Sequence, residues 1–373
     1  MYKLTFTLKQ HTPLIHFQHD QEGATLRATE VKPRLDRFII TKLGKSAFPS
    51  LSDIDLIYHE GCKIAESRAW LIGNGENGAL NYKLRIVEEG QSQKLKIEKG
   101  YPNYLGNMGN TVDNKGFVIG DQIIVNFLIN NLNLKDVIND EFSRFLSINN
   151  FGNRQSKGFG GFSISSMSES NFESFLQESF QTVYKLKWKN NVVNLLEDHK
   201  FLFRKIQDEY KLIKAGDSRN KKESKLRLYI NRLSPPLEWE KPVLQSDISE
   251  ISKKKMNIDW SNKNFHYVRA LLGLADHFEY LQLKITVHFK PEDENFERFT
   301  SPLIFKVFNN CLYLITSINN NLNQIRGKVI NISYKRDGVK FPGKDRILNI
   351  PDIDFDLVDF LNQALKNTNW KKL

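Results

Sequence analysis

The chain has 373 residues, enough for two ordinary domains, and 40% hydrophobic content with 12% aromatics is ample for packed cores. Its 54 Lys and Arg against 43 Asp and Glu leave a net charge of +11 and a pI near 9.3, which points to a polyanionic partner rather than a small-molecule substrate. No apolar run approaches the roughly 20 residues of a spanning helix, the N-terminus lacks the apolar block of a signal peptide, and two cysteines build neither a thiolate metal site nor a disulfide framework; a cytoplasmic protein off the membrane, without metal or cofactor, is expected.

Residues Tyr2–Lys9 place Tyr2, Leu4, Phe6 and Leu8 on one face, the period of a half-buried strand. His11–Asp20 breaks that pattern as a loop. From about Val31 the spacing turns helical, with Leu35, Phe38, Ile39 and Leu43 on one stripe, Pro33 in the first turn and Thr29 or Glu30 as the cap. Residues 46–118 hold short apolar pieces among glycine and asparagine and read as an irregular hairpin with long loops. Gly120–Ile129 is a β-branched, alternating strand, and Asp136–Asn149 a helix with Ile138, Phe142, Phe145 and Leu146 on one stripe.

The thirteen residues Asn150–Phe162 follow, in which Gly152, Gly158, Gly160 and Gly161 are interleaved with Arg154, Lys157 and phenylalanines. Glycine lets backbone approach a ligand closely, arginine and lysine supply cations for phosphate, and Phe159 offers a face on which a base stacks. The order excludes a nucleotide-triphosphate loop, because Lys157 precedes Gly158, and no helix opens after it as a dinucleotide fingerprint requires. A glycine-rich hairpin with merely solvated charges is the plainer alternative. Strand alternation resumes over Gly161–Ser166. The succession β-α-β-β-α-β is the ferredoxin-like, split βαβ arrangement that also underlies RNA-recognition modules with a four-stranded sheet.

A second unit opens with a strand at Phe180–Trp188 and an amphipathic helix over Asn194–Lys214. Lys200–Arg232 carries eleven Lys and Arg against four acids, either a backbone-contacting surface or a solvated helix pair. Phe265–Phe278 reads as a helix, Leu281–Phe289 as a strand, Ser301–Phe308 and Cys311–Ser317 as a hairpin around Asn309 and Asn310, and Phe355–Lys366 as a helix. The expected fold class is α+β: two ferredoxin-like domains, over 1–170 and 171–373, the second with a basic helical insertion over about 190–278.

Two constellations carry chemistry. Arg27, Lys32, Arg34 and Arg37 surround the start of the first helix, where free backbone N–H groups and the helix dipole make a natural phosphate seat. His16 and His19 with Asp20 have the elements of a metal or acid–base site, but the Glu and helix of a zinc-protease motif are missing and no third histidine is near, so ordinary loop histidines are the simpler reading.

Taken together, Thr12-Pro13-Leu14, the run Leu26–Lys32 ahead of a helix, Gly152–Gly160, and Glu297–Lys306 with its Arg-x-x-Ser-Pro segment resemble the RAMP superfamily of CRISPR RNA-guided effector subunits. The resemblance is nearest to the first, two-domain subunit of the type III-B Cmr module. It spans the chain, with specific motifs over Thr12–Arg37, Asn150–Phe162 and Arg298–Lys306, and departs from the family at Pro33, where glycine usually follows the lysine. It implies two ferredoxin-like domains holding guide RNA or its target beside other RAMP-family subunits, and a noncatalytic RNA-binding role is the expected one. By the resemblance, Arg27 and Lys32 correspond to the helix-opening motif and Arg154, Lys157, Gly158, Phe159 and Gly160 to the glycine-rich loop. Two alternatives stay open: an endoribonuclease using Asp20, or His16 or His19, and a scaffold whose basic surface docks acidic subunits.

Overall fold

Alternation at Leu4, Phe6 and Leu8 turns one side of β1 (Tyr2–Gln10) inward in the computed structural model. The structure describes residues 1–15, 25–73, 78–90, 92–96, 116–120, 122–188, 195–217, 220–233, 237–252, 264–274, 276–280, 283–293, 299–317 and 322–373. His16, His19, Asp20 and Arg298 lie outside them. The chain forms two compact units, Met1–Arg204 with Phe305–Leu314 and Lys372–Leu373, and Lys205–Ile304 with Ile315–Lys371.

In the first unit β1 is followed by α1 (Ala28–Ala47), α2 (Ile54–Ser67), β2 (Tyr82–Glu89), a hairpin of β3 (Gln93–Lys96) and β4 (Gly116–Ile119), β5 (Gln122–Ile129), α3 (Leu132–Ile148), β6 (Phe162–Ile164), α4 (Glu169–Ser179) and β7 (Val183–Lys187). The main sheet has the order β2-β5-β1-β6 and is antiparallel throughout, with Leu4 opposite Phe127 and Leu84 opposite the same residue from the other side. Val31, Leu35, Ile39, Phe142 and Phe145 from α1 and α3 pack on its inner face. A line of rings, Phe127–Phe142–Phe145–Phe151–Phe162, with centroids 5.1 to 6.3 Å apart, ties the glycine-rich segment to this core. Each fully buried phenylalanine contributes about 1.5–3 kcal/mol.

Several expectations are corrected. Region 46–118 contains a full helix: Asp53 caps α2 by accepting from the N–H groups of Asp55 and Leu56, and α2 crosses α1 closely where Gly44 meets Ile57 and Gly61 meets Ile40. Helix α1 starts three residues before Val31, so Pro33 lies in its second turn and withholds the N–H that would bond to Thr29. Its N-cap is Arg27, without a side-chain cap, so neither Thr29 nor Glu30 serves. Helix α3 begins at Leu132 rather than Asp136, because the Asn131 side chain accepts from Leu134 N–H.

The second unit contains most of α5 (Leu195–Lys214), then α6 (Lys225–Ile230), β8 (Glu238–Trp239), α7 (Lys241–Ile251), β9 (Phe265–His266), β10 (His277–Tyr280) and β11 (Ile285–Pro291). After β12 (Leu303–Phe308) and β13 (Cys311–Thr316) come β14 (Val329–Arg336), β15 (Val339–Lys340), β16 (Arg346–Asn349), α8 (Leu357–Leu365) and β17 (Lys371–Lys372). Its sheet runs β10-β11-β14-β16-β9-β8, with β15 beside β14. The expected helix over Phe265–Phe278 is instead β9, a 3-10 turn at Val268–Leu272 and the start of β10. Gly273, at φ +106°, ends the turn, and Val268 N–H goes to the buried Glu240 carboxylate rather than into a helix ladder. A third sheet, β12-β13-β7-β17, draws on the late strands that belong to the first unit. The whole is a mixed α+β protein, and among the described residues no helix is long and apolar enough to cross a membrane.

Candidate nucleic-acid interface

The glycine-rich segment and the mouth of α1 are held against each other. Gly152 N–H donates to Glu30 Oε1 at 2.6 Å, one turn beyond Arg27. Arg34 reaches back with Nη1 to Asn150 O at 2.7 Å and Nη2 to Asn149 Oδ1 at 2.8 Å, and lies over the Phe151 ring. Burial pulls the Arg34 pKa down, and Glu30, 3.8 Å away, acts to raise it. The two elements therefore form one locus.

The floor of the locus is the 11–15 segment. Asn153 N–H donates to Ile15 O and Gly160 N–H to Pro13 O, each at 2.8 Å. Thr12 Oγ1 donates to Gly158 O at 2.7 Å and accepts from Gly161 N–H at 2.8 Å. The His11 ring lies tilted against Phe308, centroids 5.0 Å apart, with its Nε2 2.8 Å from Ser163 Oγ and its Nδ1 facing Asn309 N–H. Burial, then the charges of Lys9 and Lys306, hold its pKa down at about 3, so the ring stays neutral. From the other side Asn150 Nδ2 donates to Phe305 O, and Phe305 N–H to Ser156 O.

One residue was invisible to sequence reasoning. Lys306, fully buried on β12, donates to Leu146 O at 3.0 Å and Asn149 O at 2.6 Å, the carbonyl end of α3. These bonds satisfy carbonyls that the end of the helix leaves unpaired. Burial, and secondarily Arg34, push its pKa far below the ordinary lysine value. The only signal for it was its place at the end of the Arg-x-x-Ser-Pro segment.

The predicted site residues divide by what they touch. Phe159 is corrected: its ring is fully buried, stacked on Phe203 at 4.0 Å, and offers no face to a base. Lys157 has its ammonium nitrogen buried and pairs with Phe305 in an isolated bridge, so it does not reach a ligand on the surface. Lys32 is engaged in the fold, donating to Asp36 Oδ2 and Leu80 O at 2.8 Å and sitting over the Tyr82 ring. Gly158 and Gly160 are buried, serving chain packing. Arg154, at φ +57° on the tip of the turn, and Arg27 at the N-cap are half-exposed; Arg37 is exposed, with Asp55 at 3.2 Å. Asn153 and Arg154 on the tip of the turn, with Arg27, are thus what the locus presents outward.

In the Lys200–Arg232 run, Lys205 pairs with Glu209, Lys211 with Asp217 and Arg227 with Glu223, while Lys214 donates to Leu272 O and Gly273 O. Among the described residues no group of three or more His, Cys, Asp and Glu side chains is placed to hold a metal.

A family model described as the Cmr1 N-terminal domain matches residues 1–217, and one described as the Cmr1 C-terminal domain matches residues 221–372. The chain belongs to the Cmr1 family. A crystal structure of Cmr1 from Pyrococcus furiosus in its apo form is similar at 10% identity and a TM-score of 0.40, covering 100% of this chain and 98% of that one. A cryo-EM structure of the type III-B Cmr-beta complex, bound to cognate target RNA and AMPPnP in the presence of ssDNA, contains a chain similar at 12% identity and a TM-score of 0.34, covering 97% of each. No curated protein matches the chain. In this Cmr1-family chain the loop and helix mouth of the first matched domain carry the half-exposed Arg154 and Arg27.

Proposed function

We propose that the chain is a noncatalytic, cytoplasmic RNA-binding subunit of a type III CRISPR effector complex, holding guide or target RNA by its phosphates beside other RAMP-family subunits. The observation that carries this reading is the joining of α1's mouth to the glycine-rich turn through Glu30 and Arg34, which sets Arg27 and Arg154 on one locus. The excess of positive charge and the family membership agree with it. The strand order β2-β5-β1-β6 with α1 and α3 on one face supports a split βαβ first domain.

In this reading Arg27 and Arg154 are phosphate contacts, Arg37 lies at the margin, and Lys32, Arg34, Lys157 and the buried glycines shape the loop. Arg27→Ala with Arg154→Ala should weaken binding of the full chain to a single-stranded RNA roughly 10-fold or more near 0.1 M salt, uniformly across sequences, and flatten the salt dependence by about 1.4 in log–log slope. Fluorescence anisotropy over a salt series measures both. An unchanged affinity in the folded double variant removes the locus from the RNA path. RNA cleavage by the purified chain, abolished by Asp20→Ala or His16→Ala, replaces the reading with an endoribonuclease.

A further inference from the structure

The outer face of the first sheet carries a second group of cations. Because Leu4, Phe6, Phe127, Leu84 and Ile86 point into the core, strand alternation sends Lys3, Leu128, Lys83 and Arg85 to the opposite side. Register puts Lys83, Leu128 and Lys3 in one row across β2, β5 and β1, with Arg85 beside Asn126 and Thr5 in the next. Lys3 and Lys83 are therefore two strands apart, about 10 Å, and Arg85 lies roughly 7 Å along from Lys83. All three are exposed, and among the described residues none is in an ion pair. Lys9, at the far end of β1, is also exposed and hydrogen-bonds Asn309. The one acid on this side of the three strands, Glu89, is at the end of β2 distant from Lys83.

Charge this concentrated, without acidic partners, is complementary to a phosphate chain. Between Lys3 and Lys83 lies Leu128, 38% exposed, an apolar middle on which unstacked bases or riboses rest, and half-buried Ile124 lies beyond the Asn126 row, level with Thr7 and Val87. A duplex, its bases turned inward, has no use for that middle. No aromatic side chain points outward on β1, β2 or β5, so the stacking platform of sequence-reading modules is missing.

We infer that this sheet face is a second RNA-contact surface, taking the sugar-phosphate backbone of a single strand through Lys3, Lys83 and Arg85 without reading its sequence. The inference rests on the RNA-binding reading above but on different residues. It also follows from the fold itself: Lys32 and Arg34 are engaged within the protein, whereas the sheet-face cations project freely from it.

The test compares the full chain with the variant Lys3→Ala, Lys83→Ala, Arg85→Ala, whose folding is checked by circular dichroism, using A-rich and U-rich single-stranded RNA and an RNA duplex over a salt series. The variant should lose 10- to 100-fold in affinity for both single strands near 0.1 M salt, and its log–log slope should flatten by about 2, as three lost contacts to a single strand imply. Wild-type slope and affinity in the triple variant, with the wild type binding RNA, overturn the sheet face and leave the wider reading standing. No RNA binding by the wild type overturns both. Unchanged RNA affinity with lost assembly onto an acidic partner subunit assigns the face to protein docking and overturns the inference, as does wild-type binding of the duplex as tight as of the single strands.

Discussion

Gly160→Ala should lower the stability of the chain by about 3 kcal/mol or more and abolish the ordered loop. Gly160 sits at φ +70°, where an L residue costs about 1–2 kcal/mol, and an added Cβ would stand 1.9 Å from Phe151 O. The backbone would have to give up the bond from Phe151 N–H to Gly160 O and that from Gly160 N–H to Pro13 O, each contributing about 1 kcal/mol. Gly338→Ala is the control: φ is +83° and nothing lies within 4 Å, so only the conformational term applies. Urea midpoints of the two variants separate them. Equal losses would show that Gly160 is needed for its φ alone.

The second large effect belongs to the other unit. Glu240 is fully buried; one carboxylate oxygen takes Arg269 Nε and the other accepts from Val268 N–H at 3.0 Å. Lys214 and Lys241 lie in the same field. Burial, then Arg269, lowers the pKa of Lys214 to about 7 and that of Lys241 in the same direction, with Glu240 opposing in both. Removing the carboxylate leaves the largely buried Arg269 without its counter-charge and Val268 N–H without its acceptor, which together cost about 3–5 kcal/mol. Glu240→Ala should therefore destabilise the chain by that amount in urea unfolding, and Glu240→Leu with Arg269→Met by much less. A double variant as unstable as the single one would mean that volume, not charge, is at stake.

Much of this architecture was legible because it is local. The strand periods of β1 and β5 and the stripes of α1, α3 and α5 are written in consecutive residues. Helix α2 was legible in principle, from Asp53 as cap and Ile57, Gly61 and Ala65 on one face, but surrounding glycine and asparagine masked its period. What failed was non-local. Nothing near Arg34 shows that it would be drawn to carbonyls 115 and 116 residues away, or near Lys306 that it would cap a helix 157 residues upstream. Phe159 failed the same way, since its partner Phe203 comes from another segment. A cation or ring in a glycine-rich loop has the same local signature whether it faces a ligand or braces a fold. The sheet-face cations were overlooked for the converse reason: an alternating Lys in a strand is unremarkable until register lines it up with its neighbours.

The claim beneath all of this is that the chain works by gripping RNA phosphates inside a larger assembly. Isolating it from its own cells under mild conditions, with a salt wash and analysis of what stays attached, tests that claim most directly. The account predicts a short RNA and other effector subunits at low salt, with the RNA released as salt rises. A chain recovered without RNA, or bound to protein partners in a salt-insensitive way, would contradict it.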